Sequence, residues 1–107
     1  MSDTRYQTLA SGKSPYHIPA ATLFPLGPIH VTANALRRLS PQAISEGLSR
    51  HASGDWGNVC PEDAEINIES ADSGNQILSA YGEGHKKFWI ITGPGGSGTA
   101  VLLPEDY

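Results

Sequence analysis

With 107 residues, 38 % of them hydrophobic, the chain has material for one compact domain and excludes two ordinary ones. Its apolar runs reach five residues at most, against the roughly 20 needed to cross a bilayer, which excludes a membrane-spanning helix. The net charge of −4 divides into +3 over residues 1–50 and −7 over residues 51–107, and between His51 and His85 there are seven acids and no Lys or Arg. That balance disfavours direct binding to a nucleic-acid backbone, which needs clustered positive charge, and favours a protein partner with a basic surface. The N-terminus carries no apolar signal segment, and the lone Cys60 fits a reducing compartment, so a cytoplasmic protein is expected.

Residues 1–24 are rich in Ser, Thr, Pro and Gly without a sustained period and read as an extended or disordered arm, leaving 25–107 as a single domain. Pro25–Thr32 reads as a turn into a short strand, with Ile29 and Val31 on one face and His30 and Thr32 on the other. Thr32 then caps a helical turn through Leu39. Ser40-Pro41 opens a helix to about His51 whose apolar side is Ile44, Leu48 and Ala52, although Gly47 inside it costs on the order of 1 kcal/mol relative to Ala. Pro61 opens another to about residue 73, with Glu62, Asp63 and Glu65 in the first turn and Gly74 as the stop.

Gln76–Tyr81, Lys87–Thr92 and Thr99–Leu103 are strand-like runs joined by glycine-bearing turns too short for parallel return, which predicts an antiparallel meander. Helices followed by strands give an α+β fold: a small antiparallel sheet of about four strands covered by two to three helices. The predicted core is Leu48, Ile68, Ile77, Trp89, Ile91, Val101 and Leu103.

The motifs His51-Ala52-Ser53-Gly54-Asp55-Trp56-Gly57, Leu78-Ser79-Ala80-Tyr81, Trp89-Ile90-Ile91-Thr92 and Thr99 to Tyr107, closing on Leu-Leu-Pro-Glu-Asp-Tyr, resemble a group of small bacterial proteins encoded on plasmids and other mobile elements. The resemblance spans about residues 28–107 and implies no assigned activity. Members of that group carry an Arg in the last turn, where this chain has Gly93-Pro94-Gly95-Gly96-Ser97-Gly98.

Few residues carry chemistry. The 93–98 loop has phosphate-loop glycines but neither the Lys nor the following helix, so it reads as a flexible hairpin loop. His51, Asp55, Cys60 and His85 are ligand-type residues without zinc spacing, and no metal or cofactor is expected. His51 is placed as a helix-terminal residue against the C-terminal dipole, and Cys60 as a cap or packing residue. Trp56 reads as a loop aromatic folded over the core, with Asp55 satisfying turn N–H groups.

Two function classes follow. The first is a small acidic protein-binding module using Glu62, Glu65, Glu69, Asp72, Asp55 and Trp56. In a helix, Glu62, Glu65, Glu69 and Asp72 stand at i, i+3, i+7 and i+10 and form one stripe. Such a row can compete for a groove built to hold phosphates, as an inhibitor of a nucleic-acid-handling bacterial defence system would. The alternative is a metal-independent ribonuclease-like toxin with His51 as acid or base and Ser79 and Tyr81 orienting phosphate.

Overall fold

The structure, a computed structural model, describes residues 6–9, 16, 18 and 21–107, the first of these stretches as backbone only. The described residues form an α+β fold with strands β1 (Tyr6–Leu9), β2 (Ile29–Thr32), β3 (Ile77–Tyr81), β4 (Phe88–Thr92) and β5 (Thr99–Leu102), and helices α1 (Ala33–Arg38), α2 (Pro41–Ala52) and α3 (Pro61–Ser73). Of the arm expected over residues 1–24, β1 lies along the sheet edge and Tyr16 and Ile18 pack on the core. The remainder of that expectation lies outside the described residues.

Capping chemistry sets the helix starts. Thr32 Oγ1 accepts from the Ala35 N–H at 3.1 Å and Ser40 Oγ from the Ala43 N–H at 3.0 Å, each satisfying a donor that has no partner within its helix. Cys60, at the corresponding position of α3, is exposed and makes no cap bond, so its expected capping or packing role is not realised.

The sheet runs β1-β2-β5-β4-β3. The β3–β4–β5 meander is antiparallel, but β2 pairs parallel with β5, so the expected antiparallel sheet is a mixed one. Short turns dictate direction only between the strands they join. Between β2 and β5 lie the helices and two strands, far more than the dozen residues a parallel crossover needs.

α2 covers one face of the sheet with Ile44, Leu48, His51 and Ala52. Gly47 stands over β4, where a Cβ would come within 2.9 Å of the Phe88 ring. The unfavourable helix residue is therefore what lets α2 approach. Beneath it, period-two alternation buries Phe88, Ile90 and Thr92 of β4, and Ile77, Ser79 and Tyr81 of β3. Trp89 and Ile91, expected in the core, are half-buried on the opposite face. The run Phe88–Ile91 is apolar on both faces, and a one-residue choice of register inverts it; pairing of Ile90 with Val101 and Tyr81 with Phe88 makes that choice.

Ile68, also expected in the core, is 62 % exposed. The strip that α3 turns inward is Ala64, Asn67, Ser70 and Ala71. Asn67 lies against the outer edge of β3: its Nδ2 donates to the Leu78 carbonyl at 2.7 Å and its Oδ1 accepts from the Leu78 N–H at 3.1 Å. The next outward-pointing groups belong to Ala80, whose N–H donates to Trp56 O and whose carbonyl accepts from Asn58 N–H. This edge is thus closed by a side-chain amide and a loop rather than by another strand. At the other end of the sheet, Asp106 accepts from Thr32 Oγ1 and Asn34 Nδ2, both at 2.7 Å, and Glu105 pairs with Arg38 at 2.8 Å.

Among the described residues no helix is long and apolar enough to cross a membrane.

Candidate functional site

Two places bring the singled-out residues together. The first is internal. α2 ends over the sheet so that His51 is sealed at 0 % exposure, with Nδ1 2.6 Å from Ser79 Oγ and Nε2 2.8 Å from Thr92 Oγ1. Thr92 Oγ1 lies 2.7 Å from Thr99 Oγ1, which donates to the Leu26 carbonyl at 2.7 Å.

A carbonyl only accepts and a hydroxyl has one proton, so the direction of the bonds from Leu26 to His51 follows. Thr99 gives its proton to Leu26 and must accept from Thr92. Thr92 in turn must accept from Nε2–H of His51. Burial pushes the His51 pKa down to about 3, so the ring is neutral, Nε2 carries its one proton and Nδ1 accepts from the Ser79 hydroxyl. The expected cationic role against the helix dipole is excluded by this burial. Phe24 meets the imidazole edge-on with centroids 5.2 Å apart, and Trp56 closes the other side at 6.2 Å.

His51 and Ser79 thus come together as the nuclease-like reading requires, but both are fully buried, with Phe24 and Trp56 packed on the imidazole. Tyr81 adjoins Ser79, whose side chain acts on it as a hydrogen-bond partner, but its hydroxyl donates to the Asp55 carbonyl at 2.6 Å, its ring lies 4.6 Å beneath the Arg50 guanidinium, and burial pushes its pKa up to about 12. Thr92 and Thr99 went unrecognised in the sequence. The signal was available as polar residues two positions beyond Ile90 and two before Val101, in phase with buried neighbours.

Around this chain the 54–57 turn is fixed locally. Arg50 holds Asp55 through Nε at 2.7 Å and Nη2 at 3.2 Å, which keeps that carboxyl below the usual carboxylate range, and Asp55 Oδ1 also accepts from the Gly57 N–H. Gly57 has φ +72°, and a Cβ there would lie 2.0 Å from the Ala80 carbonyl oxygen. Trp56, at 7 % exposure, is folded over the core as its glycine-flanked position implies.

The second place is the outer face of α3, where Glu62, Glu65, Glu69 and Asp72 are exposed and make no ion pair among the described residues. At about 100° per residue these four fall within about 80° of the helix circumference, with Ile68 about 40° beyond Asp72. There the row borders an open groove of about 680 Å³, lined by Leu23, Gly54, Trp56, Ile68, Glu69 and Asp72. Asp55, engaged by Arg50, is not part of this face.

The glycine loop is docked rather than flexible. Gly93 N–H bonds the Gly98 carbonyl, Gly95 N–H the Gly74 carbonyl and Gly96 N–H the Gly93 carbonyl, so these donors are not turned to a phosphate. His85 is exposed on the turn before β4, and no group of three or more His, Cys, Asp or Glu that could hold a metal occurs among the described residues.

No protein-family model matches this chain, and neither a curated protein nor a solved structure matches it.

Proposed function

We propose that the chain is a small acidic protein-binding module, working in the cytoplasm, whose contact surface is the outer face of α3. The observation that carries this reading is the row Glu62, Glu65, Glu69 and Asp72: four unpaired carboxylates on one side of a helix that spends only a narrow strip of small and polar residues on the core. Acids not used by the fold present a continuous negative field, which steers a basic partner and sets the salt dependence of its association. With charges repeating about every 5 Å along the axis, the row matches a surface shaped for phosphates. A basic nucleic-acid-handling protein, of the kind that serves in bacterial defence, is the partner class this favours, and occlusion of its phosphate groove is the mechanism.

The test is affinity capture from host lysate with identification of the bound protein, comparing the native chain with the triple variant E62K/E65K/E69K. Salt-sensitive capture of a basic nucleic-acid-binding protein by the native chain, lost in the variant, is expected. Capture that survives charge reversal and ignores salt would exclude this face.

A further inference from the structure

Beside the acidic row, the fold leaves two large aliphatic side chains in water at the same place. Leu23 is 61 % exposed and Ile68 is 62 % exposed, and they stand on the walls of the groove that Trp56 and Gly54 also line. Neither position is an accident of a loose segment. The Leu23 N–H is tied to the Ala52 carbonyl at 2.9 Å, and Ile68 sits mid-helix in α3. Scattered exposed aliphatics are ordinary, but two that line one groove with an aromatic and with Glu69 and Asp72 form an apolar seat with a charged border.

We infer that this groove is the seat for the apolar face of a basic amphipathic helix in the protein partner, with Lys or Arg flanking one or two aliphatic anchors. The inference rests on the acidic-module reading and specifies what that partner presents. The charge row favours a helix over an extended peptide. Positions 62, 65, 69 and 72 rise about 5 Å from one to the next, the 3-and-4 spacing at which a second helix presents its own side chains. Alternate residues of a strand rise about 6.6 Å and drift about 5 Å out of step over three intervals. The groove volume of about 680 Å³ takes several side chains from one helix face, as in other helix-in-groove complexes.

The probe is a synthetic 16-residue helical peptide with two Leu one turn apart and Lys at the flanking i±3 and i±4 positions, titrated into the full chain with amide chemical shifts and calorimetry as readouts. Control peptides replace both Leu by Ser, or all Lys by Glu. Shifts centred on residues 53–56 and 68–72 are expected, with affinity about tenfold above the Leu-to-Ser peptide. Leu23→Ser and Ile68→Ser should each weaken binding by a similar factor while leaving the salt dependence unchanged; both side chains are exposed, so the fold is retained. Glu69→Lys with Asp72→Lys should instead flatten the salt dependence. Equal binding of the Leu and Ser peptides, or no effect of the Leu23 and Ile68 variants, overturns the seat while the charge-based reading stands. Equal binding of the Lys and Glu peptides overturns both. A concentration-dependent dimer of the chain that Ile68→Ser abolishes would assign the seat to a second copy and overturn the inference.

Discussion

The proton order fixed by the Leu26 carbonyl puts a proton on Nε2 of His51, and burial keeps the ring neutral. The unfolded chain has a His pKa near 6.5, whereas the folded value is about 3, so between these limits the unfolded state binds the extra proton. The contribution of His51 to stability is therefore flat above pH 6.5 and falls as pH drops below it, by at most about 1.4 kcal/mol per pH unit. The window from pH 6.5 to about 4.5 isolates this effect, because the lowered carboxyl pKa values of Asp55, Glu105 and Asp106 act at lower pH. Urea midpoints measured from pH 7.5 to 4.5 should follow that course, and nitrogen chemical shifts should report a protonated Nε2 and a bare Nδ1. A midpoint constant across pH 6.5–4.5 would mean that His51 is charged or solvated. Thr92→Val keeps the volume but leaves the Nε2–H and Thr99 without their partner in a sealed site, at an expected loss of about 1–3 kcal/mol by chemical denaturation. Thr92→Ser should recover most of it.

Among the elements, α3 is the one that the sequence described correctly in extent and wrongly in attitude. Pro61, the acidic first turn and Gly74, at φ +82°, marked its ends. Its inward face was not legible, because Ala64, Ile68 and Ala71 give a helical apolar repeat whereas the contact is made by Ala64, Asn67 and Ala71, one of them an amide. An Asn in a helix has no hydropathic signature of closing a sheet edge; only the position of β3 gives it that role. Asn67→Leu should lose about 1–3 kcal/mol in thermal or urea unfolding, since the Leu78 N–H and carbonyl are left without partners. It should also turn that edge into a site of self-association visible by size-exclusion chromatography. Retention of native stability and a monomer by Asn67→Leu would show that water closes the edge equally well. For α2 and the strands β2 to β5, period and caps were enough, and only the choice between the two apolar faces of Phe88–Ile91 needed the sheet itself; β1, in the expected arm, had no such pattern.

At the scale of the whole molecule, the sequence carried the α+β class and the separation of a basic first half from an acidic second half, but not the neighbour of β2. Local patterns name strands; which strands meet across the chain depends on how the helices between them pack. The same reasoning explains why the carboxylate row was visible from spacing alone while the seat formed by Leu23 and Ile68 was not, since its walls are separated by β2, α1, α2 and the first half of α3. The parallel pairing of β2 with β5 has a temporal consequence. Ile29 meets Thr99 seventy residues later, so the two halves of the sheet share no ladder until β5 has been synthesised and has slotted between them. Closing a loop of that length costs roughly 4 kcal/mol before its contacts form, which sets a slow, single-step assembly rather than growth from the ribosome outward. A fragment ending at Thr92 should accordingly give the amide spectrum of an unfolded chain; native-like dispersion in that fragment would refute this. Until β5 docks, both strands that flank it present bare edges, so the interval between their emergence and that docking is when this protein most needs a chaperone.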